Sequence, residues 1–493
     1  MAMTVPITRR KLLFLCQVFV VFLLVFYFSG RFQGLYWAAP PVPDAHHVGF
    51  SASDTETFKG VSPSGDGWIP PSQAGRFAKA RALLPSILDP ADTSFDRMSC
   101  PPLNETRYGY LRPPEDSAQH HYLFALNLRE IIGLAPRLLG SLIEAIRFLG
   151  PRHCALSIVE GNSRDGTLEL LRLLAEPLAT LGVPYWLVTS PLDPTASDRI
   201  TKLAILRALA VEPITGPLPA SLRDAEVMDA DGRAEPRRPN TYWSIPANNI
   251  TDIRATLASD ATVLFINDVS ACAEDLLELA HQRLQQHADM VCGMDWAHNG
   301  ETYSPTKDTV FFYDAWVARA IDGDTFFTID PEELSWADAP NLFPTEPVAR
   351  ARMAAGLPFQ VFSCWNGAVA FVAAPIFHGE VGFRWPHRRE CYQGEVQLFC
   401  KDLWAAGHGK IAVVPSVNLH YGDARGRQTK AQKGYVSDFV SGKISNGSAA
   451  AGVDEAISWV GPPDLVKCMP DFGQQRWLPW NESLSDDDGD DWM

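Results

Sequence analysis

Two hydrophobic periods alternate along the middle of the chain. Short apolar runs with the length of buried strands are separated by stretches in which apolar residues recur at helical spacing. The predicted strands are residues 122–127, 155–159, 185–188, 262–266 and 411–414, and the predicted helices are 138–149, 167–174, 200–209 and 274–286. Strands that alternate with helices indicate helices packed on a parallel sheet. We therefore predict an α/β fold with a mostly parallel central sheet over residues 118–425.

A different pattern opens the chain. Residues 12–28 form an apolar run interrupted only by Gln17, and Arg9, Arg10 and Lys11 precede it. As a helix this run would rise about 25 Å, near the lower limit for crossing a bilayer. A cleaved signal peptide has the same order of features, but its apolar core is usually only about 7–15 residues long. We expect an uncleaved transmembrane signal-anchor at 12–28, with a cytoplasmic tail at 1–11.

The segments on either side of the α/β region lack this regular periodicity. Residues 29–117 contain Pro-Pro, Ser-Pro and Gly-rich pieces and predict a stem or linker, with one short helix near 76–88. Residues 426–493 are polar and Gly/Ser-rich and end in the acidic run 486–491, so they predict a solvated C-terminal tail.

Charge and cysteine content limit the possible functions. The net charge of −16 disfavours binding to nucleic acid, because an acidic surface repels phosphate backbones. Eight of the nine cysteines lie outside the apolar run and could pair in an oxidising compartment, although their spacing does not give the connectivity. Candidate glycosylation sites, which would agree with a lumenal location, are Asn104, Asn249, Asn446 and Asn481.

Polar groups follow three predicted strands at their carboxyl ends, where open α/β sheets bind ligands. Asp268 comes just after the most apolar strand, where a carboxylate can hold a divalent cation against a diphosphate. The Gly-containing turn 160–167 carries acidic groups that can accept hydrogen bonds from a ribose or a base. Each group alone is also typical of a turn or a helix cap, but three in order favour a ligand site. The candidate binding residues are Asn127, Arg129, Glu160, Ser163, Asp165 and Asn267.

Aromatic and polar residues are dense at 360–367 and 389–395. Carbohydrate sites combine an aromatic face with carboxylates and amides that bind hydroxyls, so Trp365 and Asn366 are candidates for sugar contacts. Core packing explains Trp365 equally well, and Glu395 also suits the first turn of a helix. His420 follows the last predicted strand and either completes a metal shell with Asp268 or is an ordinary surface histidine.

Taken together, these motifs resemble the fungal capsule-associated α-1,3-mannosyltransferases, glycosyltransferase family 69. The resemblance covers about residues 120–422, and several long motifs occur in order. They lie at 127–130, 158–167, 265–269, 292–296, 312–316, 362–367, 390–395 and 414–418.

The resemblance implies a GT-A-like nucleotide-sugar-binding fold and a single-pass type II protein of the Golgi membrane, with its catalytic domain lumenal. It implies retaining transfer of mannose from GDP-mannose to a mannose-containing glycan, with the α-1,3 linkage that the family forms. It also implies other glycosyltransferases as partners. It also implies Mn²⁺ or Mg²⁺, although Asn267-Asp268-Val269 offers one carboxylate where a strict Asp-x-Asp motif offers two. Alternatives are a transferase for UDP-glucose or UDP-xylose and a non-catalytic glycan-assembly protein.

The resemblance leads to a hypothesis for the mechanism. Glu160 and Asp165 would position the nucleoside, while Asp268 and the cation would neutralise the departing diphosphate. Glu395 is one catalytic candidate, and Asp295, after the apolar turn 292–294, is a second on the acceptor side. Transfer then proceeds either on one face of the donor, with the leaving phosphate accepting the proton, or by double displacement at Glu395.

Overall fold

The structure is a computed structural model that describes residues 71–195, 198–223, 225, 240–245, 253–298, 310–444 and 454–484. Helices are α1 Pro71–Leu88, α2 Glu105–Tyr108, α3 Ala135–Leu149, α4 Thr167–Leu173, α5 Ala175–Leu181, α6 Arg199–Thr215, α7 Ala220–Arg223, α8 Ala273–Gln285, α9 Pro347–Ala354, α10 Ala374–Phe377, α11 Glu395–Ala405, α12 Asp423–Lys433 and α13 Val436–Val440. Strands are β1 His120–Leu128, β2 Cys154–Glu160, β3 Tyr185–Thr189, β4 Thr241–Ile245, β5 Leu257–Ile266, β6 Met290–His298, β7 Val310–Phe312, β8 Arg319–Ala320, β9 Phe359–Ser363, β10 Ala368–Val372, β11 Ile411–Leu419, β12 Leu465–Asp471 and β13 Gln474–Pro479.

Eleven of the described strands form one sheet. Its order is β4-β3-β2-β1-β5-β10-β6-β11-β9-β8, with β7 paired to β6. Strands β3, β2, β1 and β5 are parallel neighbours, and so are β6 and β11. Strand β10 runs antiparallel between β5 and β6, so those two strands share one direction. Six central strands therefore end at the same edge, which confirms a mixed α/β fold with a mostly parallel central sheet.

The sheet is buried on both faces. Every residue of β2, β6 and β11 is buried, and two large apolar clusters cover the two sides of the sheet. Strands buried on both faces read as continuous apolar runs rather than as alternating ones. This is why the sequence pattern located β1, β2, β3, β5 and β11 and the helices between them. It missed β6, and the predicted apolar turn at 292–294 is wrong, because these residues and Asp295 lie within that strand.

The predicted stem at 29–117 needs correction, because its described part belongs to the folded unit. Helix α1 includes the predicted short helix and packs on α3 and α4, with Ala80 and Ile87 fully buried. A disulfide joins Cys100 to Cys272 at the start of α8. The apolar positions of this segment have no periodicity of their own because they pack onto a surface formed by later helices.

The predicted tail at 426–493 is likewise folded as far as residue 484, apart from 445–453, which lie outside the described residues. Helix α12 packs on β11, and strands β12 and β13 form a separate hairpin. A disulfide between Cys391 and Cys468 ties this hairpin to the loop before α11. A third disulfide links Cys292 to Cys364, while Cys154 and Cys400 are free and buried.

The predicted signal-anchor at 12–28 and its cytoplasmic tail lie outside the described residues and stay predictions. Within the described ranges, no helix has both the length and the apolar character that crossing a membrane requires.

Candidate active site

The carboxyl edge of the sheet is centred on the loop after β5. The Asn267 amide donates to the Gly367 carbonyl at 2.9 Å, which fixes the loop against the turn before β10. The side-chain oxygen of Asn267 accepts from Trp365 Nε1 at 3.1 Å. Half-buried Asp268 follows, and burial raises the pKa of its carboxyl, while the nearby positive charge of Arg207 opposes that rise. Asp268 therefore lies at a strand end, as predicted, with the positively charged Arg207 of α6 close to it.

Arg207, which the sequence reasoning missed, connects two of the predicted site residues. Its Nε donates to Glu395 Oε1 at 2.7 Å, and its Nη1 lies 3.4 Å from Asn267 Oδ1. The Arg207 and Glu395 side chains are only 9% and 3% exposed, so this ion pair is buried. The guanidinium also lies 4.6 Å from the centre of the Trp365 ring. The available signal was one charged residue in the otherwise apolar stretch 203–211.

Trp365 packs in the core, which corrects its prediction as a sugar-contacting aromatic. The residue is 1% exposed, with Phe265 and Phe383 against its ring and Arg207 over one face. Its indole N–H is used by Asn267. No open ring face remains for a sugar, so Trp365 positions Asn267 and Arg207.

Asn366 is also a positioning residue and not an exposed sugar ligand. It is fully buried, and its Nδ2 donates to the Gly293 carbonyl at 2.9 Å. Asn366 and Gly367 both have positive φ, 51° and 83°, as a tight two-residue turn requires. A Cβ on Gly367 would lie 3.1 Å from Val269, so the close packing of this turn also requires glycine.

A buried pair of carboxylic acids lies behind this turn. Asp295 is fully buried; its Oδ2 accepts from the Tyr421 hydroxyl at 3.0 Å, and its Oδ1 has no hydrogen-bond partner among the described residues. Burial and the neighbouring charge of Asp314 raise the pKa of Asp295 well above the usual value. Burial also raises the pKa of Asp314, which accepts from the Asn366 amide at 3.0 Å. The two acids therefore hold their protons to a higher pH than exposed carboxyls do.

The turn after β2 stabilises itself and the neighbouring loop after β1. Glu160 Oε1 accepts from the Ser163 amide at 2.6 Å, and burial raises the pKa of Glu160. Ser163 Oγ accepts from the Glu130 amide at 2.9 Å, and Asp165 Oδ2 accepts from the Ile132 amide at 2.9 Å. Asp165 Oδ1 also accepts the Thr167 amide and hydroxyl, which caps α4. Their predicted contacts with a nucleoside stay predictions, beside these structural roles.

The end of β1 and the loop after it contribute the two remaining donor-binding candidates, Asn127 and Arg129. Arg129 forms a bidentate ion pair with Asp193 at 3.0 and 3.1 Å, which joins the loops after β1 and β3. The amide of Asn127 lies against the backbone of α6 at Leu206 and Arg207. The candidates thus converge on one edge, formed by the ends of β1, β2, β3 and β5.

His420 is placed near that edge but is held by backbone groups. It is 4% exposed, its Nδ1 accepts from the Gly422 amide at 3.0 Å, and its carbonyl accepts from the Ser270 amide at 2.7 Å. Among the residues that the structure describes, no three His, Cys, Asp or Glu side chains are arranged to hold a metal ion. The pairing of Asp268 with His420 as metal ligands stays a prediction.

Two of the candidate glycosylation sites, Asn104 and Asn481, are exposed. Asn104 also caps α2, because its Oδ1 accepts from the Arg107 amide at 3.0 Å. This bond leaves the Nδ2 atom, to which a glycan would attach, outside the cap. Asn249 and Asn446 lie outside the described residues.

The chain is similar in sequence to a known protein and also matches solved structures at low identity. Alpha-1,3-mannosyltransferase CMT1 of Cryptococcus neoformans var. neoformans serotype D is 30% identical over 428 residues, which are 82% of this chain and 80% of that protein. Among solved structures, S. aureus TarS 1-349 matches 61% of this chain and 60% of its own, at 11% identity and a TM-score of 0.30. Mannosyltransferase PcManGT from Pyrobaculum calidifontis, in complex with GDP-Man and Mn2+, matches 72% and 71% at 12% identity and a TM-score of 0.30. The family described as Cryptococcal mannosyltransferase 1 matches residues 121–402, and the chain belongs to this family.

Proposed function

We propose that the protein transfers mannose from GDP-mannose to a mannose-containing glycan, with an α-1,3 linkage and retention at the anomeric carbon. The observation that carries this proposal is the carboxyl edge itself, where Asp268 lies beside the buried Arg207–Glu395 pair in a chain of a mannosyltransferase family. The shared direction of six central strands supports a GT-A-like arrangement, because such sheets bind ligands beyond their carboxyl ends.

The residues present suit a cation that is shared with the donor. Mn²⁺ or Mg²⁺ commonly keeps several waters and takes one or two protein carboxylates together with substrate phosphates. Asp268 supplies one half-buried carboxylate at the strand end, and burial favours neutralising its charge. Bound there, a cation would stabilise the charge that develops on the departing diphosphate.

The contacts of Glu395 bear on how the sugar is transferred. Its Oε1 accepts from Arg207 and its side chain is only 3% exposed, so it has little access to the anomeric carbon of a donor. This contact supports transfer on one face of the donor, in which the leaving phosphate accepts the acceptor's proton. Arg207 and Glu395 then set the position of the Asn267–Asp268 loop.

We further propose a single-pass type II orientation in the Golgi membrane, with the catalytic unit in the lumen. The apolar run at 12–28 after three basic residues supports the orientation. Three disulfides in the described residues support an oxidising compartment. Protease protection of the C-terminal part in sealed Golgi vesicles would test this orientation.

The donor is tested with the full-length chain by measuring nucleotide release from GDP-mannose, UDP-glucose and UDP-xylose, each with and without Mn²⁺. We expect Mn²⁺-stimulated release of GDP alone. Asp268→Asn should remove the stimulation, whereas Asp338→Asn, an exposed acid on another loop, should keep it. Release of UDP alone would show that a UDP-sugar, and not GDP-mannose, is the donor. No nucleotide release from a folded chain would favour a non-catalytic role in glycan assembly.

A further inference from the structure

The burial of Trp365 leaves the question of which aromatic side chain contacts the sugar. Large apolar side chains that are exposed in the described structure include Tyr392, at 51% of its surface. Tyr392 stands three residues before Glu395, in the motif 390–395 that begins with buried Glu390 and ends at the start of α11. It is therefore an exposed aromatic ring on the segment that leads to Glu395.

The backbone next to Tyr392 is anchored on several sides. Glu390 accepts from Arg384 and from Lys401, each at 2.6 Å, in a buried ion-pair network. The next residue, Cys391, is disulfide-bonded to Cys468, and its amide donates to Glu482 at 2.9 Å. Burial opposes ionisation of Glu390, but Arg384 and Lys401 lower its pKa to about 2, so Glu390 is charged at neutral pH. Because the backbone of this exposed ring is already fixed, the ring loses little conformational entropy when it binds a ligand.

Two helices next to this segment begin at acidic residues, α6 after Asp198 and α11 at Glu395. Partial burial raises the pKa of the Tyr392 hydroxyl, and the charges of Asp198 and Glu395 raise it further. Asp198 immediately precedes α6, and α6 packs against α11. Since α6 follows β3 and α11 precedes the co-directional β11, both helices begin at the carboxyl edge. Tyr392 is three residues before α11 and thus lies near this edge.

We propose that Tyr392 is the aromatic platform on which the hexose ring of the acceptor glycan stacks. The proposal rests on the proposed function. A pyranose has an apolar C–H face that suits the negative face of an aromatic ring, while nearby carboxylates accept hydrogen bonds from its hydroxyls. The acceptor is favoured over the donor, because the donor diphosphate belongs with Asp268 at the half-buried strand end. Tyr392 is the more exposed of the two residues, as a platform for the second substrate requires.

The test compares Tyr392→Ala and Tyr392→Phe in the full-length chain, with an α-linked mannobiose as acceptor. For the alanine variant we expect the acceptor KM to rise by about fivefold or more, the value for loss of one stacking contact. The KM for GDP-mannose and the acceptor-free release of GDP should stay near wild type. The phenylalanine variant keeps the ring and should keep the acceptor KM. Trp477→Ala is the matched control, because Trp477 is 45% exposed on the β12–β13 hairpin.

A second measurement, binding of the same mannobiose without donor, separates this proposal from the proposed function. If the wild-type chain releases no GDP but binds mannobiose, and Tyr392→Ala weakens that binding, GDP-mannose is rejected as the donor and the platform is retained. An active chain whose acceptor KM is unchanged by Tyr392→Ala would overturn the platform and retain the function. An equal rise in the acceptor KM of the alanine and phenylalanine variants would assign the effect to the hydroxyl and overturn stacking. A parallel loss of acceptor-free GDP release in the alanine variant would also overturn it.

Discussion

Arg207 illustrates how one side chain can organise a site whose individual residues have other partners. Its guanidinium contacts Glu395 and Asn267 and covers Trp365. The planar fork of arginine allows these contacts at once, which the single ammonium of lysine cannot reproduce. We therefore expect Arg207→Lys to retain the fold but lose most of the turnover, measured as kcat for mannose transfer.

The stronger substitution Arg207→Met should also destabilise the protein. Removing the cation leaves Glu395 buried and unpaired, and breaking a buried ion pair in this way costs about 3–5 kcal/mol of unfolding free energy. Adding Glu395→Gln removes the stranded charge and should recover part of that loss, as measured by urea unfolding. If the double variant were no more stable than Arg207→Met, the pair would not be coupled as the structure shows.

The Asp295–Asp314 pair predicts a pH dependence of stability. Burial raises the pKa of both carboxyls in the folded state above the ordinary value of 3.8, so the folded protein holds protons more tightly than the unfolded chain. This contribution is complete below that ordinary value and is lost as the pH rises through the raised folded pKa. Asp314→Asn replaces the carboxyl with an amide that does not ionise in this pH range. Its stability relative to wild type should therefore increase between pH 4.5 and 7.5, by on the order of 1 kcal/mol.

Urea unfolding at both pH values measures that difference. Exposed Asp338→Asn serves as the control and should show the same difference from wild type at the two pH values. A flat difference for Asp314→Asn would show that the pair does not hold an additional proton.

At this scale the sequence indicated where polar residues lie but not what each one contacts. Asp268 and Glu160 were located because a strand end is readable from an apolar run followed by polar residues. Burial of Trp365 depends on Phe383 and Arg207, which are distant in the sequence and come together only in the fold. The aromatic and polar residues that surround Trp365 in the sequence are typical both of a core tryptophan and of a sugar-binding one. The sequence pattern therefore did not distinguish these two roles.

Among the elements, α1 and the segment after it change the boundary of the folded unit. Besides the packing of α1, Arg76 bonds to Glu169 of α4 at 2.8 Å, and Arg107 bonds to Glu278 of α8 at 2.7 Å. A fragment that begins at residue 113 loses these contacts and the disulfide of Cys100. We expect it to be less stable than a fragment that begins at residue 67 by more than about 3 kcal/mol.

Thermal unfolding of the two fragments checks this expectation. The 67–493 fragment with Cys100→Ser and Cys272→Ser separates the disulfide from the packing and should melt between the other two. Equal melting temperatures for the fragments would mean that residues 67–112 add nothing to the folded unit.

The sequence predicted element type better than strand direction. Apolar runs of four to six residues and helical spacing are local, so β1, β2, β3 and β5 and their helices were found. The direction of β10 depends on the Asn366–Gly367 turn and on the gap between β5 and β6, which only the whole sheet defines. An apolar run has no direction of its own, and neither β10 nor its neighbour β6 was predicted as a strand, so the antiparallel pairing in the centre of the sheet was not predicted.

Across the whole molecule, the three disulfides connect the parts that position the site. One holds the N-terminal segment to α8, one links β6 to the turn before β10, and one joins the C-terminal hairpin to the Tyr392 loop. Their cysteines are 172, 72 and 77 residues apart, so each bond closes a long loop and restricts the unfolded chain strongly. The catalytic unit should therefore depend on an oxidising compartment for its folding.

Cysteine labelling under denaturing, non-reducing conditions tests this dependence. In protein from the secretory pathway we expect Cys154 and Cys400 to be labelled and the six disulfide-bonded cysteines to be protected, whereas protein from a reducing cytosol should be labelled at all of them. The hairpin bond has a further consequence, because it anchors the backbone beside Tyr392. Cys468→Ser should raise the acceptor KM with little change in acceptor-free GDP release, whereas Cys154→Ser should change neither. Labelling of Cys391 in active secreted protein would contradict both expectations, since the loop would then be held without the disulfide.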